Sequence, residues 1–350
     1  MEELELLERL SNAHGLSGFE GSIRDVIEEE LESSVDGIEV DTMGNMIATR
    51  KGEKPSLMIA AHMDEIGFMC KYVDENGFIR FVRIGGWFDQ AIHSQRVILH
   101  TPYGEVYGVV GAKPPHLMKD EEKKNVLKAE DMFIDIGARS REEAEALGVK
   151  PGVPITLDRE FKTMAGSFVT GKAFDNRAGV CVMILAMKRI CELDTDLTVY
   201  GVGTVQEEVG LKGAKTSAFS LNPDVAIATD VTIPGDHPGV EKKDSALEAR
   251  KGTVITIVDS AGRGIITHPT VLRWLEETAK DKNIPYQLDV GDGGTTDGTA
   301  IHLARGGIPT GVVSIPVRYI HSPVETMSME DLRASVDLIT EAAVRMRRYF

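Results

Sequence analysis

Apolar residues recur at helical spacing in several stretches of this chain. Near the start, Leu4, Leu7 and Leu10 lie on one face of a predicted helix, and Pro269 takes a first-turn position in a later one. Polar residues separate the apolar ones in each stretch, except in residues 174–193, which are apolar on most sides of the predicted helix. The predicted helices cover residues 2–13, 22–32, 174–193, 268–283 and 327–350.

Short apolar runs between these helices predict strands. The first run, SLMIAA, ends at His62 and is typical of a strand buried on both faces. A hairpin with Gly44-Asn45 at its turn precedes it. Strands that alternate with helices indicate an α/β fold, in which helices cover both faces of a mostly parallel sheet. The later runs are LTVYGVGTV, DVAIATD, TVITIVD and IPTGVVSIP.

The pattern changes from about Gly67 to about Gly166. Short alternating segments such as GFIRFVRI, RVILHT and GEVYGVVGA are separated by turn signals, which indicates a small β-rich unit of barrel or PDZ-like type. The charged run KDEEKKNVLKAED is expected to form a solvated loop or an exposed helix. We therefore predict a discontinuous α/β domain of residues 1–67 plus 166–350, and an inserted β domain of residues 68–165.

Composition narrows the classes of partner. A chain of 350 residues fits two domains of roughly 100–200 residues each, and 42% hydrophobic residues are enough for packed cores. The formal net charge of −16 disfavours nucleic acid and membrane surfaces as partners. Three cysteines without metal-ligand spacing disfavour a disulfide framework. The N-terminus lacks a signal-peptide pattern, so we expect a cytoplasmic protein.

Histidines and carboxylates stand where predicted strands end. His62, the pair Glu207-Glu208, Asp230 and His321 each follow or close such a strand. Ligands of open α/β sheets gather beyond the carboxyl ends of the strands, so these side chains are expected to meet in one crevice. Two histidines with several carboxylates suit zinc or cobalt. A pair of such ions can activate water and polarise a carbonyl group, the two requirements of amide hydrolysis.

Two neighbouring positions predict roles beyond metal binding. Adjacent residues of an extended chain point to opposite sides, so one of Glu207 and Glu208 can bind metal while the other accepts a proton from water. The alternation of side chains leaves either glutamate free for either role. Asp64 lies two residues after His62 and is expected to accept a hydrogen bond from the imidazole nitrogen that faces away from the metal.

Several segments, in order along essentially the whole chain, resemble the signature segments of the TET aminopeptidases. They are AAHMDEIGFM, GKAFDNRAG, VQEEVGLKGA, ATDV and RYIHSPVE. The resemblance implies that His62 and Asp230 bind one metal ion and that Asp175 bridges two ions. It further implies that Glu208 and His321 bind the second ion. Catalysis would depend on Glu207 as the general base and on Asp64 as the support of His62. The set of implied site residues is therefore His62, Asp64, Asp175, Glu207, Glu208, Asp230 and His321.

The resemblance also implies how the protein assembles and what it cleaves. Members of this family are dinuclear peptide hydrolases that remove N-terminal residues from short peptides. Their inserted β domain mediates dimerisation, and the dimers typically form a tetrahedral particle of twelve subunits. Gly298 departs from the alanine expected after Asp297, but no ligand position is lost.

The same residue types are compatible with other functions. A glycosidase would also use paired carboxylates, without a metal requirement. A two-metal deacylase needs a similar site, and a non-catalytic shell protein needs none. The Gly-rich segment GGTTDG lacks a phosphate-binding motif; Asp297 within it is expected to cap the next helix, without excluding contact with a substrate amine. The preferred N-terminal residue of the substrate does not follow from the sequence.

Overall fold

The computed structural model describes residues 2–120, 122–193 and 195–350. The predicted helices form, with bounds that shift by a residue or two except in the last, and short helices appear as well. The longest, Phe174–Glu192, is buried along most of its length, which explains why its sequence is apolar on most sides. The helices are α1 Glu2–Asn12, α2 Gly21–Leu31, α3 Arg141–Ala146, α4 Phe174–Glu192, α5 Lys212–Leu221, α6 Pro269–Lys282, α7 Asp297–Ile301 and α8 Met329–Arg345.

The strands fall into two sheets. The chain order is β1 Gly37–Val40, β2 Met46–Arg50, β3 Glu53–His62, β4 Gly67–Val73, β5 Ile79–Ile84, β6 Arg96–Thr101, β7 Gly104–Gly111, β8 Phe133–Asp135, β9 Pro154–Leu157, β10 Lys162–Thr163, β11 Phe168–Gly171, β12 Leu197–Thr204, β13 Val225–Thr232, β14 Thr253–Val258, β15 Tyr286–Val290, β16 Thr310–Arg318 and β17 Glu325–Ser328.

Within the described residues, the larger sheet has the order β1-β2-β12-β3-β13-β16-β17-β11-β10, and β14 and β15 branch from β16. Its four central strands, β12, β3, β13 and β16, run parallel to one another. The outer strands are mostly antiparallel, so the sheet is mixed around a parallel centre. The carboxyl ends of the central strands therefore open at one edge.

Helices cover both faces of this parallel centre. Strand β3 explains why: Leu57 and Ile59 face a core shared with α1, α4, α6 and α8, whereas Met58 and Ala60 face a second core under α5 and α7. Successive side chains of a strand point to opposite faces, so a strand buried on both sides has to be continuously apolar. The run SLMIAA meets this requirement. The fold class is the α/β arrangement that the sequence predicts.

The inserted β unit is a closed barrel. Six antiparallel strands close in the order β4-β5-β8-β7-β6-β9, so the barrel strands extend from 67 to 157. The barrel has its own apolar core, which includes Phe68, Ile79 and Ile134. From Lys162 onward the chain pairs with the larger sheet again. In the charged run, residues 119–131 are mostly exposed and form short 3-10 turns, with residue 121 outside the described residues.

No helix in the described residues has the length and apolar character needed to cross a membrane.

Candidate active site

The parallel strands bring the predicted residues together at one edge of the larger sheet. His62 is the last residue of β3 and pairs in register with Thr204, the last residue of β12. Glu207 and Glu208 follow β12 three and four residues later. Asp230 lies inside β13, because that strand continues beside β16 as far as Thr232. The site is thus built around adjacent strand ends, as the sequence predicts.

Three side chains form a first group of potential metal ligands. His62, Glu207 and Asp230 each offer one donor atom, and the three atoms lie within 4.8 Å of one another. The His62 Nε2 atom is 3.8 Å from Glu207 Oε2 and 3.9 Å from Asp230 Oδ1. The His62 and Asp230 side chains are buried and that of Glu207 is nearly so. This group lies directly on the strand ends.

Asp175, Glu208 and His321 form a second group, whose donor atoms also lie within 4.8 Å of one another. His321 Nε2 is 3.2 Å from Asp175 Oδ2 and 3.3 Å from Glu208 Oε1. The other oxygen of Asp175, Oδ1, is 3.0 Å from His62 Nε2 in the first group. One carboxylate therefore joins the two groups, as a bridging ligand must.

Asp64 organises the backbone around both groups. Its Oδ1 accepts a hydrogen bond of 2.9 Å from the Glu207 N–H, and its Oδ2 accepts one of 3.2 Å from the Glu208 N–H. The Ser17 hydroxyl donates a further bond of 2.6 Å to Oδ2. His62 Nδ1 lies 3.2 Å from the Asp64 carbonyl oxygen and 3.4 Å from Oδ1. Asp64 is thus placed to orient His62, and it also fixes the two glutamates, a role that the sequence did not suggest.

The charges of the site require compensation. Burial and the negative charge of Asp230 and Asp297 raise the pKa of Glu207 well above its usual range, although the positive charge of His62 opposes this. Burial and Asp175 likewise raise the pKa of Asp230. Burial lowers the pKa of His62, but its acidic neighbours outweigh burial and raise it well above normal. Buried like charges of this kind favour bound cations.

One buried atom supports the same conclusion. Within the described part of the chain, Glu208 Oε1 is buried and accepts no hydrogen bond, although His321 Nε2 lies 3.3 Å away. A buried carboxylate oxygen that accepts no hydrogen bond costs free energy, which a metal ion would recover. The donor set of imidazole nitrogens and carboxylate oxygens also fits zinc or cobalt. The residues therefore fit a pair of divalent cations.

Glu325 was missed in the sequence. It is buried, and its Oε2 accepts a hydrogen bond of 2.9 Å from the Asp175 N–H while its Oε1 accepts one of 3.0 Å from the His321 N–H. Glu325 thus fixes the backbone of two residues in the second group. A glutamate four positions after a candidate ligand gives no local signal of this role, because its partner Asp175 is 150 residues away.

Asp297 does not cap a helix, and this prediction from the sequence was wrong. The cap of α7 is Thr296, whose side chain accepts a hydrogen bond from the Gly298 N–H. Asp297 is buried and accepts a hydrogen bond from the Thr204 hydroxyl, while burial raises its pKa to about 6. This hydrogen bond places the Asp297 carboxylate at the end of β12, since Thr204 is the last residue of that strand and pairs with His62.

This architecture is found in solved aminopeptidases of the TET type. The structure is similar to a TET aminopeptidase from the marine sediment archaeon Thaumarchaeota archaeon SCGC AB-539-E09, with a TM-score of 0.93 and 38% identity over 97% of this chain and 96% of that one. It also resembles the Pyrococcus horikoshii TET1 peptidase, with a TM-score of 0.88 and 34% identity over 97% and 99%. That peptidase can assemble into a tetrahedron or a large octahedral shell.

Sequence comparison identifies the family. Residues 44–338 match the M42 glutamyl aminopeptidase family, and the chain belongs to this family. The chain is 46% identical to a protein of Acetivibrio thermocellus over 97% of both chains. It is 35% identical to a lysyl aminopeptidase of Pyrococcus furiosus over 97% of this chain and 96% of that one. It is 32% identical to a glutamyl aminopeptidase of Lactococcus lactis over the full length of both.

Proposed function

We propose that this protein is a two-metal aminopeptidase that removes N-terminal amino acids from short peptides. One observation carries the proposal: two adjoining groups of histidine and carboxylate ligands share Asp175, whose two oxygens face His62 and His321. Membership of an aminopeptidase family supports the reaction class. A glycosidase would need no such histidine-containing groups.

Two divalent ions, zinc or cobalt, would occupy the two groups. His62 and Asp230 would hold one ion, Glu208 and His321 would hold the other, and Asp175 would contact both. When bound, such a pair supplies an activated water and a polarised substrate carbonyl. Asp64 would keep the His62 ring in a fixed orientation, because the imidazole nitrogen that does not bind metal faces it.

Glu207 is assigned as the general base, in accordance with the resemblance to the TET family. Its backbone is fixed by Asp64, so its carboxylate would stay beside the ligands without having to move. In the ion-free chain, burial and the negative charges of Asp230 and Asp297 raise its pKa, and bound cations would oppose that rise. Glu207 would take a proton from the attacking water and pass it to the leaving amine.

The substrate feature that we propose the site to require is a free N-terminal amine. Relatives named for lysyl and glutamyl substrates are similarly distant from this chain, at 35% and 32% identity. A free N-terminal amine is the feature common to both kinds of substrate.

Assembly and location belong to the same proposal. We expect a homo-oligomer, in which barrel-mediated dimers form a tetrahedral particle of twelve subunits in the cytoplasm. The similarity to the P. horikoshii TET1 peptidase supports this arrangement. The apolar side chains Tyr107 and Val109 on the outside of the barrel are exposed in the single chain and would be available for such a contact.

The test of function combines metal exchange with a substrate panel. We expect EDTA to abolish hydrolysis of aminoacyl-anilides and zinc or cobalt to restore it. Metal analysis should give two ions per chain. N-acylated anilides should not be cleaved, because they lack the free amine. Faster cleavage of N-acylated substrates would favour a deacylase. Hydrolysis of glycosides that persists in EDTA would favour a glycosidase. Fewer than two bound ions per chain, together with no hydrolysis, would favour a non-catalytic shell protein.

A further inference from the structure

A turn of the inserted barrel lies directly against the second ligand group. The turn consists of Gly85 and Gly86, which follow β5. A Cβ atom built on Gly86 would lie 2.8 Å from His321 Nδ1 and 3.0 Å from its Cε1. A Cβ atom on Gly85 would lie 3.2 Å from Glu208 Oε2. These residues are far apart in sequence, so the contact arises only because the barrel packs against the metal-site edge.

The turn is anchored at both ends. Before it, Ile84 pairs with Gly67 at the start of β4. After it, the Trp87 indole N–H donates a hydrogen bond of 3.0 Å to the Gly67 carbonyl oxygen, and the ring stacks on Phe68 at 4.7 Å. Both anchors lie on the same strand. These two contacts restrict movement of the turn away from the His321 imidazole.

His321 needs an external constraint of this kind. It lies on the loop between β16 and β17, and its side chain is 37% exposed, whereas that of His62 is 2% exposed. Asp175 and Glu208 contact its Nε2 atom, and Glu325 binds its backbone N–H. The Nδ1 edge of the ring faces Gly86. The turn thus packs against the side of the imidazole that the other contacts leave open.

We infer that Gly86 is a positioning residue, and that the barrel holds His321 in the orientation needed for the second metal ion. The absence of a side chain is the required property, since any Cβ atom would displace a ring that cannot move without leaving its ligand position. The inference rests on the proposed function. It extends the role of the barrel from contacts between subunits to the active site of its own chain.

The test compares Gly86→Ala with wild type by zinc and cobalt titration of the ion-free protein. We expect one ion to bind as in wild type and the second to bind about 10-fold more weakly or worse, the range seen when support of a metal ligand is lost. The absorption spectrum of bound cobalt should change for the second ion alone. Gly306→Ala is the matched control, because a Cβ atom there meets nothing within 4 Å.

Thermal unfolding of the ion-free proteins separates a local effect from misfolding. We expect Gly86→Ala and wild type to unfold at similar temperatures. If Gly86→Ala does not fold, Trp87→Phe replaces it, since this variant keeps the ring stacking but loses the hydrogen bond to Gly67. Trp87→Phe should also weaken the second ion selectively, by a smaller factor.

Two results are decisive in opposite ways. If the folded variant binds both ions with wild-type affinity, the inference about Gly86 is wrong while the proposed function stands. If wild type itself binds fewer than two ions, the two-metal proposal fails first.

Discussion

The two ligand groups of the site differ in what holds them. His62 and Asp230 belong to the parallel strands β3 and β13, and the His62 side chain is 2% exposed. His321 lies on a connecting loop and is 37% exposed. Its environment is assembled from Glu325 and from a turn of the barrel. The first group is therefore a product of the sheet, and the second depends on distant segments that must pack correctly around it.

This contrast predicts that the two proposed metal ions bind differently. A ligand on a buried strand keeps its place without the ion, whereas a ligand on an exposed loop depends on contacts around it. The first ion should therefore bind to a preformed group. The second should be more sensitive to substitutions outside the site.

The largest effect is expected at Glu207, which belongs to the first group of donor atoms but is proposed to act as the base and not as a metal ligand. Replacement by glutamine keeps the shape and removes the basic oxygen, so kcat should fall about 1,000-fold while both ions remain bound. Hydrolysis of an aminoacyl-anilide, with metal content measured on the same sample, checks this. Loss of an ion in Glu207→Gln would make Glu207 a ligand of the first group and change the comparison between the two.

A buried ion-pair network supports the strand end of the first group. Glu65 contacts Lys172 at 2.8 Å and Arg177 at 3.3 Å, and Arg177 also binds the Met63 carbonyl oxygen. Replacing Glu65 by glutamine leaves two buried cations without their partner, so the free energy of unfolding should fall by about 3 kcal/mol at pH 7. Urea unfolding of the ion-free protein measures this, with exposed Glu145→Gln as a control.

The same network predicts a pH dependence. Burial raises the pKa of Glu65, but Lys172, Arg177 and His14 outweigh burial and lower it from 4.5 to about 2. Because the pKa in the folded protein lies below that in the unfolded chain, the stabilisation is complete above pH 4.5 and is lost as the pH falls towards 2. The free energy of unfolding should change less with pH across this range in Glu65→Gln than in wild type. If it falls equally steeply in the variant, other carboxylates cause the pH dependence.

A smaller effect is expected at Glu325, which binds the backbone of His321 and of the shared residue Asp175. Glutamine can accept only one of the two backbone hydrogen bonds that Glu325 accepts from Asp175 and His321. The second ion should bind about 10-fold more weakly, because two of its proposed ligands lose support. The first ion should be weakened less, because Asp175 is its one proposed ligand that Glu325 holds. Zinc titration followed by competition with a chelator resolves the two affinities. Equal weakening of both ions would show that the groups are not independently supported.

The smallest expected effect is the difference between the two positions in the wild-type protein. Limiting chelator should remove the ion of the second group first, because His321 is the more exposed ligand. Partial removal of cobalt, followed by its absorption spectrum, tests the order of release. Simultaneous release of both ions would indicate that their shared ligand Asp175 couples their binding, and that this coupling outweighs the greater exposure of His321.

Much of the fold could be predicted because the pattern and the structure have the same cause. The run before His62 is continuously apolar since β3 is buried on both faces, and its end falls where the ligands gather. The barrel segment also differs visibly in pattern, because its strands have only one buried face. The short strands β10, β11 and β17 were not predicted, since few residues carry too weak a periodicity.

The α/β class, the inserted β unit and the candidate ligands could be predicted from the sequence, because strand ends and signature segments are local features. The hydrogen bonds of Asp64 to Glu207 and Glu208, the support of the second group by Glu325 and the approach of Gly86 to His321 are visible in the three-dimensional structure alone. These are contacts between segments distant in the chain. Their distances depend on how the sheet and the barrel pack, which local patterns do not encode.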